Sequence, residues 1–215
     1  NFGDLLELDF FILNNKILMR IKRLGDIFIG AFLLILSIPL MLIFGILVYL
    51  EDRGPILYSQ KRTGYLGDEF IIWKLRSMKV DAEKEGIRWS TQNDLRITNI
   101  GSFMRKMRID ELPQLWSVIN GDMSLIGPRP ERPEIDNLLV AKIPFYNMRY
   151  LLRPGLSGWA QINYPYGAST EDSANKLSFD LYYIANYSIW LDLIIFLRTL
   201  RLIFNAKGSK PKMTT

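Results

Sequence analysis

Residues 27–50 read IFIGAFLLILSIPLMLIFGILVYL, an uncharged run closed by Asp26 on one side and Glu51 on the other. As a straight helix its 24 residues would extend about 36 Å at ~1.5 Å per residue, enough to cross a ~30 Å hydrocarbon core. A single membrane-spanning helix is the plain reading. Two details pull against it. Pro39 sits at the middle, with Ser37 two residues earlier. Proline removes a backbone donor and clashes with the preceding turn, so a kink is expected there. Each arm would then reach only to mid-bilayer and return. The flanks agree: Lys16, Arg20, Lys22 and Arg23 precede the run, and Arg53, Lys61 and Arg62 follow it. Cytoplasmic flanks collect Lys and Arg, and here both flanks do. At this point a spanning helix and a re-entrant hairpin both stand.

Composition limits what lies outward from this run. The 215 residues allow one domain of ordinary size, or one domain plus an anchor, and a 49% apolar content is ample for a core. The net charge of +5 favours anions such as phosphates, nucleotides or anionic lipid. The chain contains neither Cys nor His. Disulfides, thiolate zinc sites, Cys nucleophiles and imidazole bases are therefore excluded. Catalysis would have to run on carboxylates, amines, guanidinium groups, hydroxyls or a hard cation held by oxygen.

Further along, Ile56–Gln60 and Glu69–Arg76 are β-rich pieces around Gly64-Tyr-Leu-Gly67-Asp68, which predicts a hairpin. Residues 81–99 are polar and loop-like. Ile100–Arg108 predicts a short basic helix, and Glu111–Ile119 a second helix stopped by Asn120-Gly121. Gly127-Pro-Arg-Pro130 and Arg153-Pro-Gly155 read as rigid turns. Lys176–Asn186 and Tyr187–Phe204 read as helices, the last one either interfacial or buried. There is no P-loop and no dinucleotide glycine fingerprint.

The sharpest local feature is Arg105-Lys-Met-Arg108-Ile-Asp110-Glu111-Leu-Pro113. Adjacent carboxylates stand where one helix ends and the next begins. An acid there accepts backbone N–H groups and feels the positive end of the helix dipole. Taken alone, this is also what a capping Asp beside a first-turn Glu looks like. Arg129 stands between Pro128 and Pro130, which restrict its backbone and aim its guanidinium, a fork suited to phosphate oxygens. Lys74, Arg76, Arg105, Arg108 and Arg153 also lie near turns or helix ends, and Asp180 sits among aromatic residues in FDLYY. Each has an ordinary structural explanation when considered alone.

Together, in this order, these pieces resemble the bacterial sugar transferase family, the monotopic phosphoglycosyl transferases that act on polyprenol phosphate. The matching segments are KRLGDIFIGAFLLILSIPL at 22–40, SQKRTG at 59–64, WKLRSM at 73–78, RIDELPQLWSVINGDMSLIGPRP at 108–130, RPGLSGWAQIN at 153–163 and FDLYYIANYSIWLDL at 179–193. The chain looks most like the catalytic portion of the larger members, the undecaprenyl-phosphate galactose or glucose phosphotransferases that start capsule, exopolysaccharide or O-antigen assembly.

The resemblance implies an α+β, mainly helical fold. A lead-in from an upstream domain at 1–20 precedes a re-entrant membrane helix at 21–52, kinked at Ser37 and Pro39. A catalytic domain at 53–205 lies on the cytoplasmic face of the inner membrane, and a basic tail occupies 206–215. Where the family breaks its helix at adjacent Ser and Pro, Ile38 here separates Ser37 from Pro39. The implied reaction moves a sugar 1-phosphate from a UDP-sugar to undecaprenyl phosphate through a covalent aspartyl intermediate, with release of UMP. Asp110 becomes the nucleophile. Glu111 is its partner in orientation, proton handling or the binding of Mg²⁺, for which both acids are ligands. Lys74, Arg105, Arg129, Arg153 and Asp180 become substrate or phosphate contacts. The implied partners are UDP-sugar, undecaprenyl phosphate and membrane lipid, with room for a homodimer. A scaffold without turnover is the rival, against which the intact Asp110-Glu111 pair argues. A nucleic-acid-binding module is disfavoured, because Lys and Arg form no single stripe.

Overall fold

The computed structural model describes residues 16–84, 86, 94–164, 167 and 169–204. The lead-in before residue 16, most of the polar 85–93 segment and the basic tail lie outside the described residues. The architecture is mostly helical with two small sheets, an α+β fold.

Helix α1, Lys16–Asp52, runs without interruption through Pro39. Among the described residues it is the one helix long and apolar enough to cross a membrane. Its packing is inverted relative to a soluble helix. The buried positions are Asp26, Gly30, Ser37, Gly45 and Val48, spaced to fall on one face. The opposite face exposes Phe28, Phe32, Ile35, Leu36, Leu42, Ile43 and Ile46. Small residues on the inner face allow close approach: Gly30 lies over Val118 and Ile119, and Gly45 over Ile56. The Ser37 hydroxyl donates to the Leu34 carbonyl at 2.8 Å, one turn before the proline.

Both ends of α1 are tied to the rest of the fold. Near its start, Lys22 pairs with Asp192 at 2.6 Å, Arg23 donates to the Val118 and Ile119 carbonyls, and Asp26 accepts from the Leu125 N–H at 3.1 Å. At its end, Asp52 accepts two bonds from Arg76, each 2.5 Å, and Glu51 accepts from the Asn99 N–H at 2.9 Å.

The predicted hairpin is present: β1, Leu57–Thr63, pairs antiparallel with β2, Glu69–Leu75. Its alternation puts Phe70, Ile72 and Lys74 on the inward face of β2, and Tyr58, Gln60 and Arg62 on the inward face of β1. Helix α2, Asn99–Met107, starts at the Thr98 side-chain cap. The chain then makes a 3₁₀ stretch, Ile109–Gln114, before α3, Leu115–Asn120. Gly121, at φ +106°, closes α3, the left-handed cap that Asn120-Gly121 foretold. Strand β3, Ser124–Ile126, pairs in parallel with β4, Gly155–Ser157. Helices α4, Pro133–Lys142, α5, Trp159–Asn163, α6, Thr170–Ala185, and α7, Ile189–Phe204, complete the fold.

The main core joins Ile72, Leu115, Val118, Met123, Tyr183, Tyr187 and Ile195, with Leu33 and Leu34 of α1 packed against it. A second core joins Val48 of α1 to Leu75, Met104 and Ile109. The carboxylate pair is carried between these two cores.

Candidate active site

Arg108 ends α2 in the left-handed region, φ +59°, with its N–H bonded to the last carbonyls of the helix. A non-glycine residue there is uncommon and turns the chain sharply. The turn buries Ile109 in the second core, and Asp110 and Glu111 follow it inward. They retain only 5% and 6% exposure. The expected α-helical start at Glu111 is replaced by the 3₁₀ stretch, because the sharp turn at Arg108 and the ring of Pro113 fall within six residues. Arg108 supplies no side-chain cap. Both acids fall in the first turn of the 3₁₀ stretch, but neither is its cap, a position that Arg108 occupies.

Glu111 is instead ringed by cations. Lys74 lies 3.3 Å from its Oε1, Arg108 3.2 Å from its Oε2, and the Arg129 guanidinium spans both oxygens. Burial alone would raise its pKa. The charges of Arg129, Lys74 and Arg108 outweigh burial and hold Glu111 well below the usual carboxylate range. Asp110 goes the other way. Burial, and then the charge on Glu111, push it up against the pull of Lys74, Arg105 and Arg108. Its Oδ1 is buried and has no hydrogen-bond partner among the described residues. Lys74, which β-strand alternation turns inward, is pushed down to about 8 by burial, with Glu111 opposing.

The Gly127–Pro130 turn is fixed through its carbonyls. Two of its residues are prolines and lack N–H groups, so the loop can be held chiefly as an acceptor. The Pro128 carbonyl accepts from the Gly155 N–H at 2.8 Å, that of Arg129 from Arg149 Nη2 at 2.8 Å, that of Pro130 from Arg62 Nη1 at 3.1 Å, and that of Glu131 from the Thr63 N–H at 3.0 Å. Behind the loop, Arg149 also reaches Asp180 Oδ2 at 2.9 Å and the Tyr146 hydroxyl at 2.5 Å.

The predicted site residues therefore divide. Asp110, Glu111, Lys74 and Arg129 come together. Arg105 stands beside them: its Nε donates to Ser77 Oγ at 2.8 Å, and its charge acts on Asp110. Asp180 does not join the cluster. It is 2% exposed and bonded to Arg149, which in turn holds the Arg129 carbonyl, so it meets the site through the Arg129 backbone. Arg153 is also elsewhere. Its Nε donates to the Gly121 carbonyl at 2.8 Å, and it lines a cleft with Lys22, Arg23, Asp26 and Tyr65. Ser37 and Pro39 belong to α1. Arg62 and Arg149 were missed as individual residues. Strand alternation carried a signal for Arg62, which falls on the inward face of β1. Arg149 has no local signature.

Among the described residues no group of three or more potential metal-binding side chains occurs. Mg²⁺ needs no such group, because it keeps waters and takes substrate phosphate oxygens. The unpaired Asp110 Oδ1 beside the Glu111 carboxylate fits a hard, oxygen-seeking cation of this kind.

A family profile described as bacterial sugar transferase matches residues 17–206. The chain is 42% identical over 199 residues to the UDP-N-acetylgalactosamine-undecaprenyl-phosphate N-acetylgalactosaminephosphotransferase of Aeromonas hydrophila, which covers 93% of this chain and 47% of that protein. It is 38% identical over 194 residues to the UDP-glucose:undecaprenyl-phosphate glucose-1-phosphate transferase of Klebsiella pneumoniae, 89% of this chain and 42% of that one. For the protein of the same description from Caulobacter vibrioides the identity is 41% over 180 residues, 83% and 67% of the respective chains. The chain spans less than half the length of the first two relatives. The matched region runs from the start of α1 past the end of α7 and takes in the whole carboxylate and cation cluster: the chain belongs to the bacterial sugar transferase family.

Proposed function

We propose that this chain catalyses transfer of a sugar 1-phosphate from a UDP-sugar to undecaprenyl phosphate, the step that begins assembly of a surface polysaccharide. The observation that carries the mechanism is the division of labour between two neighbouring acids. Glu111 is immobilised by three cations, whereas Asp110 Oδ1 is engaged by no hydrogen bond among the described residues. A nucleophile needs an uncommitted lone pair, and a cation cage needs an anion to organise it before substrate arrives.

In this reading Asp110 attacks the β-phosphorus of the UDP-sugar. A bond forms from its carboxylate oxygen to phosphorus, the phosphorus–oxygen bond to the α-phosphate breaks, and UMP leaves with that electron pair. An anionic oxygen of undecaprenyl phosphate then attacks the same phosphorus and expels the Asp110 carboxylate. The product is undecaprenyl-diphosphate-sugar. Lys74, Arg129 and Arg105 hold the phosphate oxygens as charge shifts among them. Mg²⁺ bound by Asp110 and Glu111 would neutralise part of the diphosphate charge.

The membrane reading is that α1 enters and leaves on one face, with the active site on the cytoplasmic side where UDP-sugars are dissolved. The bonds from Lys22, Arg23 and Asp26 at one end, and from Glu51 and Asp52 at the other, support it, since all reach the same polar fold. Its large apolar residues point away from that fold, toward where lipid would lie.

The test is release of UMP in the presence of undecaprenyl phosphate, with UDP-N-acetylgalactosamine, UDP-glucose and UDP-galactose offered in turn. The first two donors are those of the relatives above. One of the three should support turnover. Silence with every UDP-sugar would overturn the assignment.

A further inference from the structure

Arg149 belongs to no part of the reaction just described, yet it is buried to 7% exposure directly behind the site. A guanidinium is expensive to bury unless its donors are matched. Here they are. Nη1 donates to the Tyr146 hydroxyl at 2.5 Å, and the guanidinium also lies over the Tyr146 ring, 4.9 Å from its centroid. Nη2 is shared between the Asp180 carboxylate at 2.9 Å and the Arg129 carbonyl at 2.8 Å. Three elements thus meet on one planar group: the 3₁₀ stretch Tyr146–Leu151, helix α6 and the Pro-Arg-Pro turn.

The bond to Arg129 is to its main chain, not its side chain. Prolines at 128 and 130 stiffen the turn and remove two of its N–H groups; the Gly127 N–H donates to the Ser157 carbonyl at 2.8 Å, and beyond it the turn is gripped through its oxygens. Four successive carbonyls, 128 to 131, are gripped. The one on Arg129 itself is held by Arg149. A shift at that carbonyl displaces the Arg129 Cα and, through it, the guanidinium that faces Glu111.

We infer that Arg149 is a positioning residue for the transferase reaction: backed by Asp180 and Tyr146, it fixes the Arg129 backbone so that the Arg129 side chain meets the phosphate. This rests on the reading of Arg129 as a phosphate contact. Arg149 touches no substrate in this scheme. Lysine cannot replace it, because one ammonium cannot serve Tyr146, Asp180 and the Arg129 carbonyl in the geometry of a fork.

The experiment is a double-mutant cycle on the full chain in nanodiscs, with kcat and KM from UMP release and the thermal midpoint from fluorimetry. Arg149→Lys should lower kcat/KM about 10- to 100-fold, the order expected for a displaced contact group. The loss should lie mainly in kcat. In an Arg129→Ala background the same substitution should change kcat/KM by less than about twofold, because the group it positions is gone. Its effect on the thermal midpoint should be the same in both backgrounds. That contrast separates positioning from mere structural support. Equal losses of activity in both backgrounds, or unchanged kinetics in Arg149→Lys, would overturn the inference. If Arg149→Lys does not fold, Tyr146→Phe enters the same cycle, removing only the hydroxyl that Nη1 grips, and the same pattern at smaller size is expected. If Arg129→Ala alone leaves turnover intact, the phosphate-contact reading of Arg129 is what fails, and the inference falls with it.

Discussion

Asp110 and Glu111 are adjacent, nearly equally buried, and driven in opposite directions: the first toward holding its proton, the second away from it. The difference lies in their partners. Glu111 has Lys74, Arg108 and Arg129 in contact, while Asp110 has burial and a charged neighbour.

From this asymmetry, Asp110→Asn should abolish turnover, by several orders of magnitude, while the protein still folds. Intact-mass analysis after UDP-sugar alone should show a sugar-phosphate adduct on the wild type and none on this variant. Glu111→Gln should behave differently, slowing adduct formation by loosening the cation cage without erasing the adduct. An adduct on Asp110→Asn would reassign the nucleophile.

A pH profile should report Lys74. Its ammonium, brought down to about 8 mainly by burial, loses its proton as pH rises through that value. The charge needed for phosphate is therefore present below about pH 8 and lost above it, so kcat/KM should fall on the alkaline side with an apparent midpoint near there. Arg at this position stays charged, so in Lys74→Arg the alkaline limb should move beyond the measurable range whatever its absolute rate. A limb that stays near 8 in that variant would assign it to another group.

Gly101 lies in the first turns of α2, and a Cβ built there would collide with the Ser77 backbone oxygen and carbonyl carbon. In an open helix, Gly→Ala stabilises by roughly 1 kcal/mol. Here overpacking against backbone should win, costing about 1–3 kcal/mol. The thermal midpoint of Gly101→Ala should fall, and turnover with it, since the same helix delivers Arg105 to Ser77. A higher midpoint would mean the two segments separate easily.

Topology can be read by labelling, because the chain has no cysteine. Lys16→Cys and Lys61→Cys, each in sealed cells, should both resist a membrane-impermeant thiol reagent applied from outside, and both should react once the membrane is opened. Labelling of position 16 alone in intact cells would show that α1 spans the bilayer.

What the sequence disclosed and what it hid follow from the range of the forces involved. The β1–β2 hairpin and the stop at Gly121 obey rules a few residues long and were legible. So was the family, through the segment at 108–130. The 3₁₀ stretch was not, because it depends on a left-handed Arg108, a conformation side chains adopt only when tertiary packing at Ile109 compels it. Strands β3 and β4 are too short to show a period, and they pair across residues 124–157. Asp180 and Arg153 were expected at the site from the family resemblance, and a charged side chain carries no local sign of where it ends up. One proves to be the counter-ion of Arg149, the other a neighbour of Arg23.

The two cores described above share α1 as one of their walls, and this bears on how the protein can be handled. An anchor that merely tethers a domain can be cut away to leave a soluble enzyme. Removing α1 would unroof Val118 and Ile119, strip Leu75 and Met104 of Val48, orphan the Leu125 N–H and leave Arg76 buried without its carboxylate. A truncation starting at residue 53 should therefore give an insoluble product rather than a detergent-free catalyst, and detergent stripping should unfold the protein as well as delipidate it.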